Sequence, residues 1–142
     1  MEQVLFEHLT VTLKRNSQTN YLHLKWRGRI QLDIYKQVLG LCLEQMKAHH
    51  TTQFLVDQSE LEYVGAEAQT WLSLYWFAEA EKLTQENLYF SIITSKKLFV
   101  AIASKVTAQR LQHKNQYSII HYAQSEAEAI AWLANPTEGE VV

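Results

Sequence analysis

The chain has 142 residues, 47% apolar and 20% charged, the composition of one ordinary globular domain that buries a core without staples. Thirteen basic against fifteen acidic side chains leave a formal charge of -2, so the cationic field that drives binding to a phosphate backbone is missing, and no nucleic-acid partner is expected. No apolar run approaches the roughly 20 residues that span a bilayer, and Met1-Glu2-Gln3 starts no basic-then-apolar leader; a cytoplasmic protein without a membrane span is expected.

Leu5, Leu9, Val11 and Leu13 fall at odd positions across residues 3–14, and Leu22, Leu24 and Trp26 alternate with Tyr21, His23 and Lys25. Both patterns predict half-buried strands. The polar cluster Asn16-Ser17-Gln18-Thr19-Asn20 between them predicts an antiparallel hairpin. After Gly28, the spacing of Ile34, Tyr35, Val38, Leu41, Cys42 and Met46 predicts a helix ending at His49-His50. The lone Cys42 lies in that pattern as a buried, inert thiol, so redox chemistry has no support.

Phe54-Leu55-Val56 is a short apolar run that stops on Asp57, the pattern of a buried parallel strand carrying a carboxylate to the rim of a sheet. A second helix is expected over 66–82, a strand over 88–93, a largely helical segment through Leu111, and a strand over 117–122. The last helix starts at Ser125-Glu126-Ala127-Glu128, which has capping-box spacing, and ends before the only proline, Pro136. Residues 1–135 thus form one domain, and 136–142 are expected to be a flexible tail. The order is strand, strand, helix, strand, helix, strand, helix, strand, helix. Crossovers of this kind favour parallel pairing, so the fold class is α/β, a single-domain mixed β-sheet with a parallel centre.

Trp26-Arg27-Gly28 before the first helix, the strand ending Leu55-Val56-Asp57, Trp71 with Trp76 in the next helix, and the closing Ala129-Ile130-Ala131-Trp132-Leu133 together resemble the SpoIIAA-like, or STAS-type, domains. The resemblance covers most of the chain. It implies a small domain that docks protein partners or, in some relatives, holds a nucleotide or an apolar ligand. Where classical antagonists of this type carry a kinase-phosphorylated serine, this chain has Gly65-Ala66-Glu67-Ala68, with no hydroxyl. Switching by phosphorylation at the usual serine is therefore not expected. Glu67 would place a permanent negative charge there, or simply stabilise the first turn of its helix.

Asp57 with Ser59 is either a ligand-facing rim pair or a pair that hydrogen-bonds its own turn. The six histidines form no His-x-x-x-His or Glu-x-x-His pair on a helix, and there is no Gly-x-Ser-x-Gly elbow. No metal, cofactor or catalytic constellation is expected. At ~100° per residue the second helix puts Trp71, Leu74, Tyr75 and Ala78 on one stripe, with Leu72 and Trp76 round the other side. One face cannot bury them all, so Trp76 needs a cover from the 96–111 segment, a second subunit or an apolar ligand. Two readings follow. One is a non-enzymatic interaction module that docks a protein partner, or a second copy of itself as a homodimer, through this helix and the Asp57 rim. The other is a carrier or sensor that holds a small apolar or lipid-like molecule between Trp71, Tyr75, Trp76 and the region of Phe99.

Overall fold

In a computed structural model, described over residues 2–94, 118–136 and 140–141, the N-terminal alternation folds as two strands where one was expected. β1 (Glu2–His8) and β2 (Val11–Asn16) pair antiparallel across a turn at Leu9 and Thr10. Leu9, which continued the odd-position pattern, is 86% exposed at the turn. No Gly, Asn or Asp marks this reversal, because distant groups hold it. The His8 ring nitrogen Nδ1 meets the Thr10 hydroxyl at 2.9 Å, and the Arg27 guanidinium donates to the carbonyls of His8 and Leu9 at 3.0 and 3.2 Å.

The predicted hairpin forms between β2 and β3 (Tyr21–Ile30). Asn16 Oδ1 accepts from the Gln18 and Thr19 amides, each at 3.0 Å, in a side-chain-capped turn. β3 outruns its predicted end through a bulge at Gly28, whose φ of +67° suits a residue without Cβ. Helix α1 (Leu32–His49) buries Tyr35, Val38, Leu39, Cys42 and Met46, as the helical spacing requires, and ends on His50 at φ 53°. Burial alone pushes the Cys42 thiol well above its ordinary range, which keeps it protonated.

β4 (Gln53–Val64) is far longer than the expected Phe54–Val56 strand. It pairs parallel with β3 throughout and with β5 (Leu88–Ile93) as far as Asp57, then continues beyond β5 after a register shift. β5 pairs parallel with β6 (Ser118–Ala123), so the centre of the sheet is parallel. β7 (Glu140–Val141) adds antiparallel to β6. The seven strands follow chain order across one mixed sheet. The predicted helix within 96–111 lies outside the described residues.

Alternation along the strands creates two cores. Leu22, Leu24, Phe54, Phe90, Ile92 and Ile120 face α1, α2 (Ala66–Trp71) and α3 (Phe77–Leu83), whereas Tyr21, Leu55, Ile93 and Ala123 face α4 (Glu126–Ala134). α4 begins at the predicted cap. Ser125 Oγ accepts from the Glu128 amide at 3.2 Å, and the Glu128 carboxylate accepts from the Gln124 amide, one residue earlier than a standard box.

Between α2 and α3, Leu72–Trp76 forms a π-helical turn, closed by the Phe77 amide donating to the Leu72 carbonyl. Trp76 is the centre of the larger core. It is 1% exposed, its indole donates to the Leu39 carbonyl at 2.8 Å, and its ring meets Phe54 and Phe77 edge-on at 5.9 and 4.8 Å. Trp76→Ala should cost about 3–5 kcal/mol by cavity formation, and Trp76→Phe, which keeps most of the ring volume but loses the bond to α1, about 1–2 kcal/mol. Urea unfolding midpoints of the two variants would check both values.

Candidate functional site

Asp57 lies inside β4, 6% exposed, and alternation puts it with Leu55 on the α4 side of the sheet. Its Oδ1 accepts from the Ser59 backbone amide at 2.9 Å, the local bond that Asp makes readily where a strand is bulged. Asp57 is thus not followed by a turn: the strand runs on for seven residues. Ser59 is half-buried, and Glu67 is exposed in the first turn of α2 after Gly65.

The aromatic residues of the second helix separate. Trp71 and Tyr75 stack at 5.3 Å, and Trp71 also meets Tyr35 edge-on at 6.2 Å with Lys36 Nζ 6.0 Å above its ring. Leu72 packs half-buried against the core, while Leu74 and Tyr75 are 74% and 50% exposed. Trp76 turns inward against Phe54 and Phe77, so of the covers considered for it neither a second subunit nor a ligand is needed. It therefore cannot form a wall of an open ligand site. Phe99 lies outside the described residues. The outer helix face and Asp57 belong to opposite sides of the sheet, so they do not make one continuous surface.

A second place has chemistry that the sequence pattern did not single out. α4 covers β4, β5 and β6 but leaves the same face of β2 and β3 open, where Thr12, Lys14, His23, Lys25 and Arg27 line a polar cleft with Glu126. Arg27 is held by backbone carbonyls and by the Thr12 hydroxyl at 2.8 Å, and Lys25 pairs with Glu60 at 3.0 Å. At the inner end, Glu2 accepts from the Tyr21 hydroxyl at 2.9 Å and meets His23 Nδ1 at 3.1 Å. His23 is 4% exposed, and its Nε2 has no hydrogen-bond partner among the described residues.

Burial by itself would raise the Glu2 carboxyl, but the Tyr21 hydroxyl, His23 and Lys14 outweigh it and hold the group below the usual carboxylate range. Burial first, and then the bond to Glu2, push the Tyr21 hydroxyl up to about 12. These residues come from β1, β2, β3 and the start of α4, so no local spacing could reveal them. The available signals were the polar alternation of β3 and the cap that places Glu126 in a first turn.

The fold is SpoIIAA-like. The chain is similar to a crystal structure of an uncharacterised protein of the DUF3478 family with a SpoIIAA-like fold from Shewanella loihica PV-4, at a TM-score of 0.58 and 18% identity over 94% of this chain and 95% of that one. No family model and no curated protein matches the sequence.

The Glu2 cluster predicts both limbs of a stability profile. Because the folded Glu2 carboxyl is depressed, its contribution is complete above the ordinary carboxylate range of about 4.3 and is lost as pH falls through the folded value. Because the Tyr21 hydroxyl is raised, its contribution is complete below its ordinary value of about 10 and is lost as pH climbs toward about 12. Denaturant midpoints measured across pH should show Glu2→Gln flattening the acid limb and Tyr21→Phe flattening the alkaline one.

Proposed function

We propose that this domain is a non-enzymatic interaction module whose docking surface is the outer face of the α2–α3 helix, occupied by a second copy of the chain. The observation that supports this reading is the placement of Leu74 and Tyr75. The π-turn leaves both in solvent beside the stacked, half-buried Trp71, although the same helix has Trp76 and Phe77 fully enclosed. Exposed apolar side chains that adjoin in this way favour contact with another surface.

The occupant is argued from charge. A symmetric interface sets the same patch against itself, so residue i meets j and j meets i. Lys36 stands over the Trp71 ring, and Glu67 lies one helical turn before Trp71; Glu79, one turn after Tyr75, is already paired with Lys82 at 2.8 Å. The patch thus carries both signs beside an apolar centre, and a twofold copy can oppose them. The resemblance to SpoIIAA-like domains, which implies protein docking, supports the same reading. With Gly65-Ala66-Glu67-Ala68 at the switch position, docking here is constitutive and not controlled by phosphorylation at that site.

Leu74→Glu and Tyr75→Glu place charge on exposed positions, so both variants should keep the wild-type circular dichroism spectrum. Sedimentation equilibrium should give a mass that rises toward a dimer with concentration for the wild type and stays at one chain for either variant. A wild type that remains one chain at every concentration, or a dimer indifferent to both changes, refutes the proposal.

A further inference from the structure

One nitrogen of His23 and one carboxylate oxygen each from Glu2 and Glu126 all lie within 4.8 Å of one another. His23 and Glu2 are already close to the geometry of two ligands on a single ion. Two atoms each ~2.0–2.2 Å from a common metal are about 3.0–3.5 Å apart at octahedral or tetrahedral angles, and His23 Nδ1 is 3.1 Å from Glu2 Oε2. Glu126 is exposed at the first turn of α4, so its side chain is free to close the remaining distance.

The surroundings favour a cation more than the number of nearby basic residues suggests. Lys25 is engaged by Glu60, and Arg27 by the His8 and Leu9 carbonyls and the Thr12 hydroxyl, leaving Lys14 as the cleft cation without an ion pair among the described residues, against two carboxylates. Glu126 and Glu128 also offset the positive end of α4. Tyr21 donates to Glu2 and fixes that carboxylate, the kind of support that orients metal ligands. The imidazole is buried and its Nδ1 faces Glu2, so an ion taken at Nδ1 displaces the proton now shared with that carboxylate, the proton release that accompanies binding of a metal to imidazole.

We propose that Glu2, His23 and Glu126 bind one divalent transition-metal ion of the zinc or manganese class. Imidazole with two carboxylates suits these ions, whereas calcium and magnesium take oxygen ligands. The site lies on the opposite side of the sheet from the docking face and is independent of it.

Isothermal titration of the full chain, without a histidine tag, with zinc chloride and with manganese chloride tests the site. The chain's tandem His49-His50 is the obvious competing ligand, so a His49→Ala/His50→Ala variant is titrated in parallel, together with Glu126→Gln and His23→Gln. The expected result is saturable one-to-one binding of at least one of the two ions, kept in the double variant and weakened at least ~10-fold in Glu126→Gln. Glu126 is exposed, so that variant folds even if the change at buried His23 does not. No saturable binding of either ion, binding lost in the double variant, or binding unchanged in Glu126→Gln overturns the proposal.

Discussion

Successive side chains of a strand go to opposite faces of its sheet, and the two faces here are covered unequally. Among the described residues, α1, α2 and α3 cover one face, whereas α4 alone covers β4, β5 and β6 on the other. β4 must therefore be apolar in both directions at its start, and Phe54 and Leu55 are each almost fully buried, one toward each layer. β2 needs an apolar residue only at every second position, which is why Val11 and Leu13 are enclosed while Thr12 and Lys14 line the cleft. Among the described residues, the polar cleft is the part of that face that α4 leaves open.

The helix over Ala66 to Leu83 shows how a small backbone irregularity redistributes surface. A regular α-helix sets Trp71 and Trp76 about 140° apart, so both cannot face the same core. The π-turn at Leu72–Trp76 widens the spiral, and Trp76 with Phe77 reaches the Phe54 and Phe90 rings while Trp71 rests against Tyr35 at the edge. Leu74 and Tyr75 are left outside. π-Turns are often found where function has displaced ideal helix geometry, and this one coincides with the exposed apolar patch.

Two small networks of polar groups among the described residues differ in character. Arg15 donates to Thr51 Oγ1 at 3.0 Å, Thr51 donates to Asn20 at 2.8 Å, and Asn20 donates to the His49 carbonyl at 3.0 Å, linking the β2–β3 turn to the end of α1. Each side chain there has a protein partner, as a structural network requires. The Glu2, Tyr21 and His23 group is less complete, because Nε2 of a buried imidazole is left over among the described residues. That difference separates a girder from a candidate site.

Local periodicity was enough to read most elements. The α1 stripe of Tyr35, Val38, Cys42 and Met46, the Asn16-led turn, the β5 run and the Ser125 cap all depend on residues within a few positions of one another, and the α/β class follows from their order. Where distant groups decide, the sequence was silent. The Leu9 turn is held by Arg27 from another strand, β4 continues past Asp57 because β3 offers it a partner, and Trp76 is enclosed because α1 presents the Leu39 carbonyl. The approach of Glu2, His23 and Glu126 is likewise a product of the sheet and of α4's docking, since residues more than a hundred positions apart meet only when long-range pairing brings their elements together.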